Sequence, residues 1–279
     1  MERITKEIFK KLYKPPENSH KGQNGKLTII GGSKLFHGAS LWALKIASRI
    51  VDMVFYSTVL ENEELTRQLK SQIYDFICIP RTKIQDYINQ SDVVLIGPGL
   101  VRGDTGTGET GKQTKNLTES LLKKFPQKKW IIDAGSLQVM DPELLKKLKN
   151  AVITPHVREF ENLFDISLGN NPANIVAQKA KEFGCTIVLK GPTDIICAPD
   201  KCSCDNQGNP GMTKGGTGDV LAGLIAALSC KNDLFLASCA GVYTHGLAGD
   251  RLYNRVGPYF NASDLCAEIP GVLKELIAF

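Results

Sequence analysis

The chain has 279 residues, 42% of them hydrophobic and 23% charged, and its 34 basic and 29 acidic side chains leave a net charge of +5. That balance excludes disorder, collagen, coiled coil and a membrane-spanning bundle. Both signs of charge are spread along the chain, so neither a nucleic acid nor a membrane is an expected partner. At this length one hydrophobic core can bury roughly three-quarters of the unfolded surface without help from disulfides or metals.

Residues 1–14 alternate charged and apolar side chains at helical spacing, and Pro15-Pro16 ends that predicted helix. LTII (27–30) reads as a short buried strand running into Gly31-Gly32-Ser33. A helix is expected from Gly38 to about Val51, followed by the β-branched and aromatic strand MVFYST. DFICIP and DVVLIG read as two further strands, the second ending at Gly97-Pro98-Gly99. A polar insertion then feeds a helix that stops near Phe125, and WIID (130–133) and AVIT follow as strands. Pro155 precedes a helix carrying Phe160, Leu163 and Phe164. TIVLK (186–190) is another strand, with DIICA (194–198) expected to pair nearby, and three helices cover the chain from Asp219 to its end. Strands alternating with helices predict a parallel sheet covered on both faces, in one domain over residues 1–279.

The eight cysteines do not make a metal site. Five lie in apolar runs, and Cys197, Cys202 and Cys204 cluster in a loop-like stretch with no second pair to complete a zinc set. With no signal-peptide core at the start and no apolar run long enough to span a bilayer, the expected compartment is the cytoplasm.

Gly106-Thr-Gly-Glu-Thr-Gly111-Lys112 has the spacing of a phosphate-binding Walker loop. Gln113 stands where that loop needs a hydroxyl for magnesium, and no strand leads into it directly, so it reads as a polar loop before a helix. The stronger signal is Gly215-Gly216-Thr217-Gly218, directly before Asp219 and an apolar helix. Small residues with free amides at a helix N-terminus form an anion cradle, and the helix dipole favours the negative charge. Asp219 is then placed beside a bound phosphate, where it can take a proton from an attacking hydroxyl. Lys214 is a candidate for further positive charge. Five predicted strands end in Gly, Ser, Thr, Asp or Pro (or, at Lys190-Gly191, in a Lys-Gly pair), the pattern of one shared crevice outside a sheet's carboxyl ends.

GNPGMTKGGTGDVLAGLIAAL resembles the signature of the ribokinase-like branch that contains the ADP/ATP-dependent NAD(P)H-hydrate dehydratases. LTIIGGS with HGAS, IGPGL, IIDAGSL, ITPHVREF, LKGPTD and GVYTHGLAGD match the same family in order, over about residues 24–253. The resemblance implies a three-layer αβα sandwich with a mostly parallel sheet. It also implies that a nucleotide phosphorylates the C6 hydroxyl of the S epimer of hydrated NADH or NADPH, and that phosphate then leaves to restore the ring. Ala39, Gly99, His156 and Asp219 match positions that contact the hydrated dinucleotide, with Asp219 as base. Lys190, Gly191, Pro192, Thr193 and Asp194 match the stretch around the adenine nucleotide, which Gly218 touches from the cradle of Gly215, Gly216 and Thr217. The implied cofactors are Mg2+ and ADP or ATP, the metal ligands being undefined. The implied partners are an epimerase on a separate chain and further copies of this chain, as in a tetramer.

The match is imperfect. Asp-Ala-Gly-Ser-Leu-Gln (133–138) stands for the family's Asp-Ala-Asp-Ala-Leu-Asn, and Val157-Arg158 for a common Pro-Gly. Two other functions fit the same residues: phosphorylation of a vitamin precursor on this fold, and non-catalytic sensing of a nucleotide.

Overall fold

In the computed structural model, which describes residues 1–59 and 74–277, ten strands form one sheet. They are β1 (Glu2–Arg3), β2 (Lys26–Ile30), β3 (Met53–Ser57), β4 (Ile77–Cys78), β5 (Val93–Ile96), β6 (Lys129–Ile132), β7 (Asn150–Ile153), β8 (Thr186–Leu189), β9 (Asp194–Cys197) and β10 (Cys202–Asp205). Their spatial order is β1-β10-β9-β8-β7-β6-β5-β2-β3-β4. Among the described residues only the β8–β9 and β9–β10 pairings are antiparallel.

The central strands send alternate residues to opposite faces. Ile30, Val94 and Ile96 join one core with Trp130, Phe160 and Phe183, while Leu27, Ile29, Val93 and Leu95 join another with Leu44, Leu221 and Ile225. The first core is closed by α2 (Ile84–Gln90), α3 (Gly111–Lys124), α4 (Ala134–Val139), α5 (Val157–Phe164) and α6 (Pro172–Phe183). The second is closed by α1 (His37–Ala47), α7 (Thr217–Ser229) and α8 (Leu234–Val256), with α9 (Ala262–Ile277) packed outside them. This is the expected αβα sandwich. Glycine lets α1 and α7 pack closely: a Cβ on Gly223 would lie 2.6 Å from the Ala43 Cα.

The chain leaves β2 for α1 on one face and leaves β5 for α3 on the other. The two strands are neighbours, so their carboxyl ends flank the crevice where such sheets bind ligands. The Gly32 N–H donates to the Pro98 carbonyl across that crevice at 2.8 Å.

Three sequence expectations change. Residues 1–14 are a two-residue strand and a 3-10 turn (Lys6–Lys11), because Ile4 pairs with Cys204 and Phe9 and Leu12 are buried. DFICIP shortens to Ile77–Cys78 beside β3. Cys202–Asp205, read as loop, is a strand, and Cys202 faces Cys197 across the hairpin in a disulfide. The helix α6 was not singled out, although its Asn171 cap and Pro172 are ordinary start signals. No helix among the described residues is long and apolar enough to cross a membrane.

Candidate functional site

The N-terminal turn of α7 is built by its flanking residues. Gly216 is the N-cap at φ +95°, and a Cβ there would lie 2.4 Å from the Trp42 ring, so only glycine fits. The Thr217 hydroxyl donates to the carbonyls of Met212 and Lys214, which fixes the approach to the helix. Behind the turn, the buried His245 contacts the Thr217 carbonyl through Nε2 at 3.0 Å. A carbonyl only accepts, so Nε2 carries the hydrogen. Burial pushes the His245 pKa down to about 4, so the ring stays neutral.

This arrangement leaves amide donors uncommitted. The Thr217 N–H reaches back to Lys214 and the Val220 N–H to Gly216, while among the described residues those of Gly215, Gly216 and Gly218 meet no protein acceptor. Donors at a helix N-terminus with the dipole behind them suit an anion. Lys214 is not part of the cradle, as its ammonium is held over the Phe260 ring and by the Pro258 carbonyl.

Asp219 lies in the first turn of α7, close to a group of charges from three strand ends. Lys190, just past β8, donates to Asp133, just past β6, at 3.1 Å. Its Nζ lies 3.5 Å from where a Cβ on Gly218 would stand. Burial alone would lower the Lys190 pKa, but Asp133, Glu159 and Asp219 together hold it above the ordinary value. Asp219 moves the other way for a carboxyl. Burial first, then Asp133 and Glu159 against the pull of Lys190, push it up to about 7. The site therefore holds a permanent ammonium and a carboxyl poised near neutrality.

His156 is the N-cap of α5. Its Nδ1 accepts from the Glu159 N–H at 3.2 Å, and Glu159 accepts from the His156 N–H at 2.9 Å. The ring is thus a half-exposed cap whose Nε2 lies 3.6 Å from the same carboxylate. A bridge between His156 and Lys190 ties these strand ends together. Glu159 also accepts from Gln138 at 2.6 Å, and Gln138 accepts from Arg102 at 2.9 Å.

The remaining positions surround this group. Ala39 lies in the first turn of α1. Gly99, at φ +74°, packs against the Phe36 carbonyl, which a Cβ would meet at 2.2 Å. Gly191, Pro192 and Thr193 form an exposed turn closed by the Gly191 N–H donating to Asp194 at 2.9 Å. Burial raises the Asp194 pKa to about 6 against that bond. Asp133, which ends the strand WIID, makes no cap bond at the start of α4 and binds Lys190 instead. The roles of Trp42, Gln138 and Arg102 depend on contacts between distant segments and had no local signal. Gly135, where the family has a carboxylate, has no room for one: a Cβ would lie 1.9 Å from the Leu100 carbonyl. Arg158 is exposed.

No group of three metal-ligating side chains occurs among the described residues, so these residues do not make a protein cage for a cation. The Walker-like stretch is a loop ending in a capping box, with Gln113 exchanging hydrogen bonds with Thr110.

The family model for NAD(P)H-hydrate dehydratase matches residues 27–271. An ADP-dependent (S)-NAD(P)H-hydrate dehydratase from Nitrosopumilus maritimus is 35% identical over 271 residues, covering 92% of this chain and 91% of the relative. A bifunctional NAD(P)H-hydrate repair enzyme from Methanocaldococcus jannaschii is 38% identical over 271 residues, covering 95% of this chain and 51% of the relative. The chain thus spans about half the length of that bifunctional relative. An ADP/ATP-dependent NAD(P)H-hydrate dehydratase from Bacillus subtilis, crystallised with ATP and Mg2+, superposes with a TM-score of 0.79 at 24% identity, covering 99% and 98% of the two chains. At that identity the likeness speaks for the ribokinase-like fold.

Proposed function

Because the chain belongs to the NAD(P)H-hydrate dehydratase family, we propose that it repairs the S epimer of hydrated NADH or NADPH at the expense of ADP or ATP. The observation that carries this reading is the set of uncommitted amides at Gly215, Gly216 and Gly218 beside the buried Asp219 and Lys190.

The cradle and Lys190 hold the terminal phosphoryl group of the nucleotide, with the Lys190–Asp194 turn beside the rest of it. Ala39, Gly99 and His156 line the place of the hydrated ring. Asp219, ionised, takes the proton of the C6 hydroxyl, whose oxygen attacks phosphorus and releases AMP or ADP. Phosphate is a far better leaving group than hydroxide. The lone pair of the ring nitrogen expels it from C6, and loss of a C5 proton restores the double bond. Lys190 and the amides balance the charge that builds on the phosphoryl oxygens. Mg2+ would enter with the nucleotide phosphates, where it neutralises charge.

The reading takes residues 1–279 as one domain, working in the cytoplasm with an epimerase on a separate chain and as a homo-oligomer. The relative named bifunctional, about twice as long, supports the epimerase partner. Incubation with hydrated NADH and ADP tests the proposal. Recovery of reduced-nicotinamide absorbance with equimolar phosphate is expected. A stable phosphorylated vitamin precursor, or nucleotide binding with no turnover, would replace this reading.

A further inference from the structure

Beside the β2–β5 crevice lies a cavity of about 470 Å³ walled by Val59, Arg81, Leu100, Val101 and Thr110 among others. Its rim is continuous with the proposed substrate loops, since Leu100 directly follows Gly99 and Lys34 follows Gly31-Gly32-Ser33. Arg81 is its unusual member. The Arg81 Nε–H makes one long hydrogen bond, 3.4 Å to the Thr58 carbonyl, and Nη2 is buried with no partner. No carboxylate forms an ion pair with it among the described residues. The acidic wall residue, Glu109, accepts from the Lys34 N–H at 2.9 Å and from the Thr107 hydroxyl at 3.3 Å.

Glu109 and Tyr56 offset the burial of the Arg81 charge only in part, and a buried guanidinium nitrogen with no hydrogen-bond partner is costly, so folded chains seldom keep one without a use. Its planar fork suits phosphate oxygens better than any other side chain does. A hydrated dinucleotide needs such a place. Its nicotinamide end must lie at Asp219, while its pyrophosphate and adenosine extend beyond that centre. Apolar walls at Leu100, Val101 and Leu117 suit a ribose or a base.

We infer that the Arg81 cavity is the subsite for the phosphate groups and adenosine half of the hydrated dinucleotide, distinct from the nucleotide cradle at α7. This rests on the dehydratase reading above for its substrate.

Steady-state kinetics of Arg81→Gln and Arg81→Lys with hydrated NADH, hydrated NADPH and hydrated reduced nicotinamide mononucleotide test it. Arg81→Gln should raise KM for the dinucleotides about tenfold with kcat nearly held, Arg81→Lys should do so less, and neither should move KM for ADP or for the mononucleotide. A rise for both dinucleotides places the pyrophosphate at Arg81, and a rise for hydrated NADPH alone places the 2′-phosphate there. Because Nη2 is buried with no hydrogen-bond partner, Arg81→Gln should melt no lower than the wild type. Dinucleotide KM unchanged within about twofold, or a lowered melting temperature with KM raised equally for all substrates, overturns the inference. Calorimetric binding of NADPH to wild type and Arg81→Gln separates the two readings. If the wild type turns over no hydrate yet Arg81→Gln weakens NADPH binding, the subsite stands and the dehydratase reading falls. Equal binding in that case removes the subsite as well.

Discussion

Asp219 carries the chemistry because its surroundings contradict its ordinary acidity. Burial and the neighbouring Asp133 and Glu159 push it up to about 7, while Lys190 holds part of the charge back. A base must be ionised to work, so kcat/KM with hydrated NADH should fall about tenfold per pH unit below about 7. Asp219→Asn should lose about 10²–10⁴-fold in turnover while still binding ADP, as calorimetry would check. The same shift has a stability consequence. The folded pKa lies above the unfolded one, so the stabilising contribution is complete at low pH and is lost as pH rises through about 7. Asp219→Asn should therefore melt higher than wild type at about pH 8, and the gap should narrow as pH falls and close only below about pH 4.

Asp133 acts on that aspartate through space and on Lys190 by contact. Replacing it with Asn removes a negative charge that raises the Asp219 pKa. The acid limb of the kcat/KM profile should move to lower pH, even as looser placement of Lys190 lowers kcat. A fall in activity with an unmoved limb would leave Asp133 only a structural part. These residues differed in legibility. Asp219 was readable because a run of glycines, which a plain helix cap does not need, stands directly before it. The Asp133–Lys190 pair spans 57 positions and exists only once β6, β7 and β8 lie side by side. His156 was readable as a position after Pro155, but the hydrogen bonds it exchanges with Glu159 were not.

At the scale of elements, the turn before α7 is the part with least tolerance. Gly215 and Gly216 look equivalent in the sequence, yet the structure separates them. A Cβ on Gly216 would strike Trp42 at 2.4 Å and Ala262 at 2.9 Å from a left-handed backbone, whereas one on Gly215 would meet nothing within 4 Å. Gly216→Ala should cost about 1–3 kcal/mol in urea unfolding and disturb Trp42 emission. Gly215→Ala should stay within about 0.5 kcal/mol of wild type, so any loss of ADP affinity there reports crowding of the phosphate itself. Most helices and the parallel strands were legible, because their periodicity is local and their stops are Gly or Pro. The N-terminal segment was not, since its apolar residues serve strand pairing and a 3-10 turn rather than one helical face. β10 was hidden by polar residues and cysteines, which an outer strand paired with a two-residue neighbour tolerates.

Across the whole molecule, the sheet gathers distant segments into one place: the ends of β6, β7 and β8 bring Asp133, Glu159 and Lys190 to Asp219 in the first turn of α7, and the ends of β5 and β2 follow in the same sheet. A ligand there touches both sequence halves and both faces' helices, so binding should stabilise the fold as a unit rather than one lobe of it. ADP at about 100 times its dissociation constant should add about 2.7 kcal/mol, which for a chain of this size is roughly a 5–10 °C rise in melting temperature. The Cys197–Cys202 disulfide lies at the end of its hairpin away from Asp194 and Asp205, so the Cys197→Ser/Cys202→Ser variant should show the same rise from a lower starting point. The rise should persist in Asp219→Asn, where the cradle is intact, and shrink sharply in Gly216→Ala, where it is not. Differential scanning calorimetry of the four proteins with and without ADP makes the comparison. An equal rise in Gly216→Ala would move the phosphate away from α7 and, with it, the chemistry assigned to Asp219.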